Sequence, residues 1–281
     1  MSAGTERTIS VNSPANGSTT SRWGLRFLGL GYIAVLLIAP LVLLFYKTFE
    51  EGLAPPFEAI TSSDGLHALK LTLLTVAIAV PINTVFGVIC SLLLVLHKWR
   101  FNWLIDAAIN LPFAISPVVI GLSLFLLYGK DGWLEPGLAE AGIKVLFSTP
   151  GIVLACVFVS VPFVVRETVP VLQEIGTEQE QAAFTLGATS MQTFWRVTLP
   201  AIRIGVAYGV VLTTARALGE FGAVSIVSGR LTGQTETLTL YVQDRYNDFD
   251  LTGAYAASVV LALLALGVLG VMSLIGQGRK F

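Results

Sequence analysis

Six long apolar stretches alternate with polar connections along this chain. They run over Trp23–Phe45, Leu69–Leu96, Trp103–Tyr128, Pro150–Val165, Gly205–Val227 and Thr252–Ile275. A helix needs about 20 mostly apolar residues to cross the hydrocarbon layer, so the pattern predicts an all-α protein with six membrane spans. The second stretch is long enough to tilt or to project beyond the bilayer. Pro81, Pro112, Pro117 and Pro162 fall inside apolar stretches. Prolines are tolerated in spans where neighbouring helices or water satisfy the freed carbonyls, so kinked helices around a pathway are expected rather than straight anchors. Residues 1–22 are rich in Ser, Thr, Gly and Asn and read as a disordered tail. The span domain is expected over residues 23–276 and a short C-terminal end over 277–281. The first apolar stretch is too long for a signal-peptide core and lacks a cleavage site, so it should stay in place as a span.

The longest polar region between two apolar stretches runs from Arg166 to Arg203. Thr177-Glu178-Gln179-Glu180 reads as a helix start, with a Thr cap and acids in the first turn. Ala182, Ala183 and Leu186 follow as an apolar stripe at helical spacing. Gly187 permits a break. Met191, Phe194, Trp195 and Val197 suggest a second amphipathic piece that Pro200 should stop. The whole region is a protruding knob, suited to laying a short helix in a partner's groove. The alternative is a helix lying on lipid, for which Arg196 and Arg203 supply few late cations.

Composition agrees with the pattern. The 281 residues are 54% hydrophobic and 12% charged, about half the charge of a soluble domain, and the mean hydropathy is +0.77. A net charge of −1 offers no electrostatic reason to bind nucleic acid. Lys and Arg gather at Arg7, Arg22 and Arg26, at Lys98 and Arg100, at Arg166, Arg196 and Arg203, and at Arg279 and Lys280. With six spans these four segments share one side, expected to be cytosolic with both termini. The opposite connections are acidic, though they also carry Lys47, Lys130, Lys144, Arg230 and Arg245. Cys90 and Cys156 sit in apolar runs and are expected to pack as small hydrophobes. His67 and His97 are expected near span ends, and no metal-ligand spacing is present. No glycine stands at the phosphate-loop spacing before Gly129-Lys130. No His-Glu-x-x-His or Gly-x-Ser-x-Gly occurs either, so covalent chemistry is not expected of this chain and any energy source must lie in another one.

The spacing Ala-Ala-x3-Gly-x9-Val-x-Leu-Pro, from Ala182, Ala183 and Gly187 to Val197, Leu199 and Pro200, resembles the EAA loop of ABC-importer permeases. That loop docks on the ATP-hydrolysing subunit. The first position of the motif, usually Glu, is Gln181 here, with Glu180 adjacent. Ala215-Arg216-Ala217-Leu218-Gly219-Glu220-Phe221-Gly222-Ala223 resembles the fifth-span motif of sulfate and molybdate permeases. With Asn110–Val119, Pro162–Glu167, Tyr246–Asp250 and Ala254–Ser258, the whole resembles W-type sulfate/thiosulfate permease subunits. The resemblance implies a six-span type I ABC importer permease of the MetI-like class in the inner membrane. It implies a homologous T-type permease, two ABC ATPases that use ATP and Mg, and an extracytoplasmic sulfate-binding protein as partners. It implies no cofactor on this chain. A molybdate permease shares the class, and an ion-driven secondary transporter is the alternative of another class.

Arg216 and Glu220 are four residues apart in the fifth stretch, one turn on a common helix face. Charges inside a membrane are costly and mark either a pathway or a structural pair. Here Arg216 either offers positive potential to a passing dianion, gated by Glu220, or pairs with Glu220 to fix packing. Ala215, Gly219 and Ala223 form a small-residue row expected to allow close helix contact. Arg166, Glu167 and Asp106 read as solvated or interfacial charge. Ser116 and Asn110, beside the prolines, either line a wet pathway or satisfy broken backbone.

Overall fold

One break at a proline, one at a glycine and one repeated device shape the helices in the computed structural model, which describes residues 19–96 and 100–277. The chain divides between Lys47 and Thr48 into two units. The first carries α1 (Thr19–Ile33), a π-helical segment (Ala34–Ile38) and most of α2 (Ala39–Phe49). Helix is present from Thr19 on, inside the expected tail, and the expectations for Arg7 and the rest of residues 1–18 fall outside the described residues. So do His97 and Lys98, and Arg279 and Lys280. The π segment ends two residues before Pro40. Its wider turn moves away the i−4 carbonyl that a proline ring would strike, so the helix continues.

The second unit holds α3 (Ala54–Thr61), α4 (Ser63–Leu96), α5 (Asn102–Ala114), α6 (Pro117–Tyr128), α7 (Glu135–Glu140) and α8 (Thr149–Ile175). The α9 (Glu178–Thr185) and α10 (Ser190–Thr193) helices follow, then a second π segment (Phe194–Thr198) and α11 (Leu199–Leu218). The chain ends in α12 (Gly222–Val227), α13 (Leu238–Asn247) and α14 (Leu251–Gln277). Among the described residues five helical runs are long and apolar enough to span, or six if the α5–α6 pair counts as one.

The core is built on α8, flanked by α4 and α11. Val164 is fully buried and is pinched between two glycines. A Cβ at Gly87 of α4 would come within 2.6 Å of the Val164 Cβ, and one at Gly209 of α11 within 2.6 Å of its Cα. Gly205, one turn earlier, would meet the Glu167 carbonyl at 2.7 Å. The close helix contact therefore falls on Gly205 and Gly209. The expected row at Ala215, Gly219 and Ala223 is not a single helix face, because α11 ends at Leu218, and a Cβ at Gly219 would meet only the Ala215 carbonyl at 3.8 Å. Cys90 and Cys156 are free and buried in separate apolar clusters. His67 meets the Gln234 carbonyl at 3.0 Å through Nε2.

Four boundaries differ from the sequence expectation. The third stretch is broken between α5 and α6 by a 111° bend. Ile115 and Ser116 are both extended there, the conformation a residue preceding proline prefers, and Pro117 then opens α6. The fourth helix continues ten residues past Val165, through Pro170, to Ile175, so the first quarter of the expected polar loop is helix. The fifth stretch breaks at Gly219–Phe221. Finally, Pro200 does not stop a helix: it stands in the first turn of α11. The helical run passes through it from Ser190 to Leu218, because the preceding π segment gives its ring room as at Pro40.

Candidate functional site: a knob and two facing helix breaks

The knob is closed at both turns by its own backbone. Gly187 has φ +84°, a left-handed conformation that glycine adopts without a Cβ penalty. Ala188 N–H donates to the Ala183 carbonyl and Gly187 N–H to the Phe184 carbonyl, both at 3.0 Å. This is a Schellman closure of α9. Two residues on, the Thr189 hydroxyl accepts from Gln192 N–H while Gln192 Oε1 accepts from Thr189 N–H at 2.9 Å, a capping box that starts α10. The Thr-x-x-Gln spacing of residues 189–192 is the sequence signature of that box. Thr177 does not cap α9 with its side chain. Its hydroxyl accepts instead from Gln181 Nε2 at 3.1 Å.

Glu180 and Gln181 part company in space. The Thr198 hydroxyl donates to Glu180 Oε1 at 2.5 Å, so Glu180 braces α9 against the segment that opens α11. Gln181 faces solvent. Thr193 is buried and Phe194 packs against the buried cluster of Val88, Val164, Leu172 and Ile202, which roots the knob in the bundle. Ala182 is exposed, Ala183, Val197 and Leu199 are half-buried, and Pro200 is exposed. The apolar side chains left outside are Phe184, Leu186, Met191 and Trp195, with Leu186 87% exposed. A rigid, braced knob that displays large apolar side chains has the character of an interface core.

At the other end of α11 the two helix breaks face each other. A Cβ at Gly222 would come within 2.9 Å of the Pro117 side chain, and one at Gly121 within 2.7 Å of the Ala223 carbonyl. The starts of α6 and α12 are thus in backbone contact. Arg216, in the last turn of α11, pairs with Glu220 at 2.5 Å, the two side chains being 31% and 1% exposed. Glu220 lies outside the helix, within the break. Its Oε1 accepts from Ala223 N–H at 2.9 Å, and its carbonyl accepts from the Thr239 hydroxyl at 2.9 Å. Glu220 thereby caps α12 and ties the break to α13. Broken helices inside a membrane are tolerated where they are buried in protein or line a cavity.

Arg230 and Arg245, which weakened the charge asymmetry in the sequence, are matched by acids. Arg230 pairs with Asp244 at 3.3 Å, and Arg245 with Asp64 at 3.4 Å and Asp250 at 3.8 Å. Beside them Glu236, 3% exposed, was not singled out in the sequence. Burial, then the charge of Asp244 and a hydrogen bond to it, push its carboxyl up to about 7, with Arg245 opposing and Asp64 adding to the rise. Between the ordinary carboxylate range and about 7 the folded state holds a proton that the unfolded chain has lost, so stability falls as pH rises through that window. The purified protein should melt at lower temperature at pH about 8 than at about 5.5, and Glu236→Gln should remove most of that slope. An unchanged slope in the variant would move the titration elsewhere.

Comparison with known proteins identifies the family and the fold. Residues 83–280 match the family described as binding-protein-dependent transport system inner membrane component. The chain is 46% identical over 250 residues to the sulfate transport system permease protein CysW of Synechocystis sp., covering 89% of this chain and 91% of that one. It is 43% identical over 256 residues to the protein of the same name from Escherichia coli K12, covering 90% and 88%. A crystal structure of a bacterial alginate ABC transporter, in complex with a pentasaccharide-bound periplasmic protein, superposes with a TM-score of 0.75 at 17% identity, covering 93% of this chain and 94% of that one.

Proposed function

Because the chain belongs to the binding-protein-dependent transport system inner membrane component family, we propose that it is the translocating permease of an ATP-driven importer for sulfate or thiosulfate. The observation that carries the coupling is the braced knob: Glu180 joins α9 to the opening of α11, so force applied to α9 reaches a membrane helix directly. The substrate class rests on the likeness to the sulfate permeases. The knob end of the bundle faces the cytosol, with both termini. The partners are a homologous permease, two ATPase subunits and an extracytoplasmic binding protein. No cofactor is assigned to this chain, and ATP and Mg act on the partner.

The sequence of events follows from the connections. Closure of the ATPase dimer draws the knobs of the two permeases together. That motion passes through the π segment and α11 to the break at Glu220, where α11, α12 and α13 are tied. The bundle opens outward and receives the anion from the loaded binding protein beside Arg216. Hydrolysis restores the inward-open state. Nucleotide binding thus biases a two-state bundle from a distance.

Reconstitution in proteoliposomes tests the reading. The four kinds of subunit together should take up radiolabelled sulfate only with ATP and binding protein, with thiosulfate competing better than molybdate. This chain alone should carry nothing. Uptake by the single chain down an ion gradient would overturn the proposal in favour of a secondary transporter.

A further inference from the structure

Arg166 is exposed, as expected of an interfacial charge, yet it is held at two points. It lies in α8, nine residues before the helix ends. Its Nε donates to Asn110 Oδ1 of α5 at 3.0 Å, and its guanidinium lies 4.6 Å from the Phe113 ring centre. Asn110 is held in turn: its Nδ2 donates to the Asp106 carbonyl at 2.8 Å and to Asp106 Oδ1 at 3.1 Å. Phe113 packs edge-on to Phe163 at 5.3 Å. A tether and a ring therefore fix the guanidinium plane. Among the described residues no carboxylate lies within ion-pair distance of Arg166, yet the side chain remains exposed. Arg230 and Arg245 each find an acid and Arg216 finds Glu220. Arg166 keeps its two terminal nitrogens open.

The level of Arg166 in the bundle gives that opening a use. Gly209 of α11 abuts Val164 of α8, which sets the register of these antiparallel helices. Arg216 lies seven residues beyond Gly209, away from the knob, and Arg166 two residues beyond Val164, toward it. At 1.5 Å per residue the two arginines are about 13 Å apart along the bundle axis. Arg166 stands on the knob side of the α5–α6 break, against Asn110 and Phe113 of α5. A planar fork with two free N–H pairs matches two oxygens of a tetrahedral oxyanion.

We propose that Arg166, oriented by Asn110 and Phe113, is a second oxyanion contact, taking the anion on the knob side of the helix breaks before release. This rests on the permease reading above. The chemistry is shared by a lipid phosphate, and the side chain's tethering to α5, instead of extension toward headgroups, favours the transported anion.

The test uses the assembled transporter in proteoliposomes. Arg166→Gln should lower ATP-dependent sulfate uptake about 10- to 100-fold, the range for losing one charge-assisted contact, while ATP hydrolysis stimulated by the loaded binding protein persists. Arg166→Lys should recover part of the uptake. Independently, Ala107→Cys places a thiol one turn from Asn110 on the same exposed face, while the native cysteines are buried. Sulfate should slow its modification by a charged thiol reagent with Arg166 present and not with Arg166→Gln. Equal loss of uptake and hydrolysis in both arginine variants overturns the proposal, as does labelling indifferent to sulfate. Labelling that follows headgroup composition instead assigns Arg166 to lipid. A parent complex that moves molybdate alone defeats the sulfate reading, while protection by molybdate still upholds the contact.

Discussion

Gly187→Asp is expected to cost the permease its ATPase and its ATP-driven uptake while leaving the spans inserted. The backbone at Gly187 has φ +84°, which Asp and Asn adopt more readily than other L-residues, and a Cβ there meets nothing within 4 Å. The variant therefore meets no clash, and the left-handed backbone strain it carries is shared by Gly187→Asn, so the two variants differ in charge alone. What changes is the surface: a carboxylate arrives at the turn between exposed Phe184 and Leu186 on one side and Met191 on the other. A charge forced into a desolvated apolar contact weakens association by about 2–4 kcal/mol, roughly 30- to 1000-fold. Co-purification of the ATPase and sulfate uptake should both fall in that range. Gly187→Asn, which shares the backbone preference without the charge, should lose far less. If Gly187→Asp retains the ATPase and full uptake, the knob is not the docking surface.

The knob could be read from sequence because its features are local. Gly187 and the run from Val197 to Pro200 stand at fixed offsets within one segment, and the Thr189–Gln192 capping box was there to be seen as well. What Pro200 does was not legible, because its effect depends on the turn before it: a π segment at Phe194–Thr198 lets the helix run on through the proline. Hydropathy alone is blind to backbone direction, so the third and fifth stretches read as straight spans although Ser116-Pro117 bends one by 111° and Gly219–Phe221 ends the other. Long-range pairing was equally hidden. Arg166 reads as interfacial charge until Asn110, 56 residues earlier, is brought against it. Nothing near Glu236 in sequence says that it will be buried beside Asp244. Glu180, next to the Gln181 that stands where an acid was expected, turns inward instead, and its bond to Thr198 spans 18 residues and so escapes any local motif.

Arg216→Ala should produce the largest loss within the spans, because of what it leaves behind. The Glu220 side chain is 1% exposed, and removing the guanidinium strands its carboxylate among apolar neighbours. Breaking a buried pair from one side costs about 3–5 kcal/mol, a large share of the 5–15 kcal/mol that holds a typical protein folded. The yield of assembled complex should drop sharply. Glu220→Gln on the same background removes the stranded charge while an amide oxygen still accepts from Ala223 N–H, so Arg216→Ala/Glu220→Gln should recover assembly. Uptake by that double variant then separates the two roles that sequence left open. Assembly regained with uptake still lost places the Arg216 guanidinium in the passage, where no neutral pair replaces its potential for a dianion. Assembly and uptake regained together make the pair a packing device. An Arg216→Ala single variant that assembles and transports like the parent removes it from both roles, and with them the idea that the break at Glu220 is where motion from the knob meets the anion.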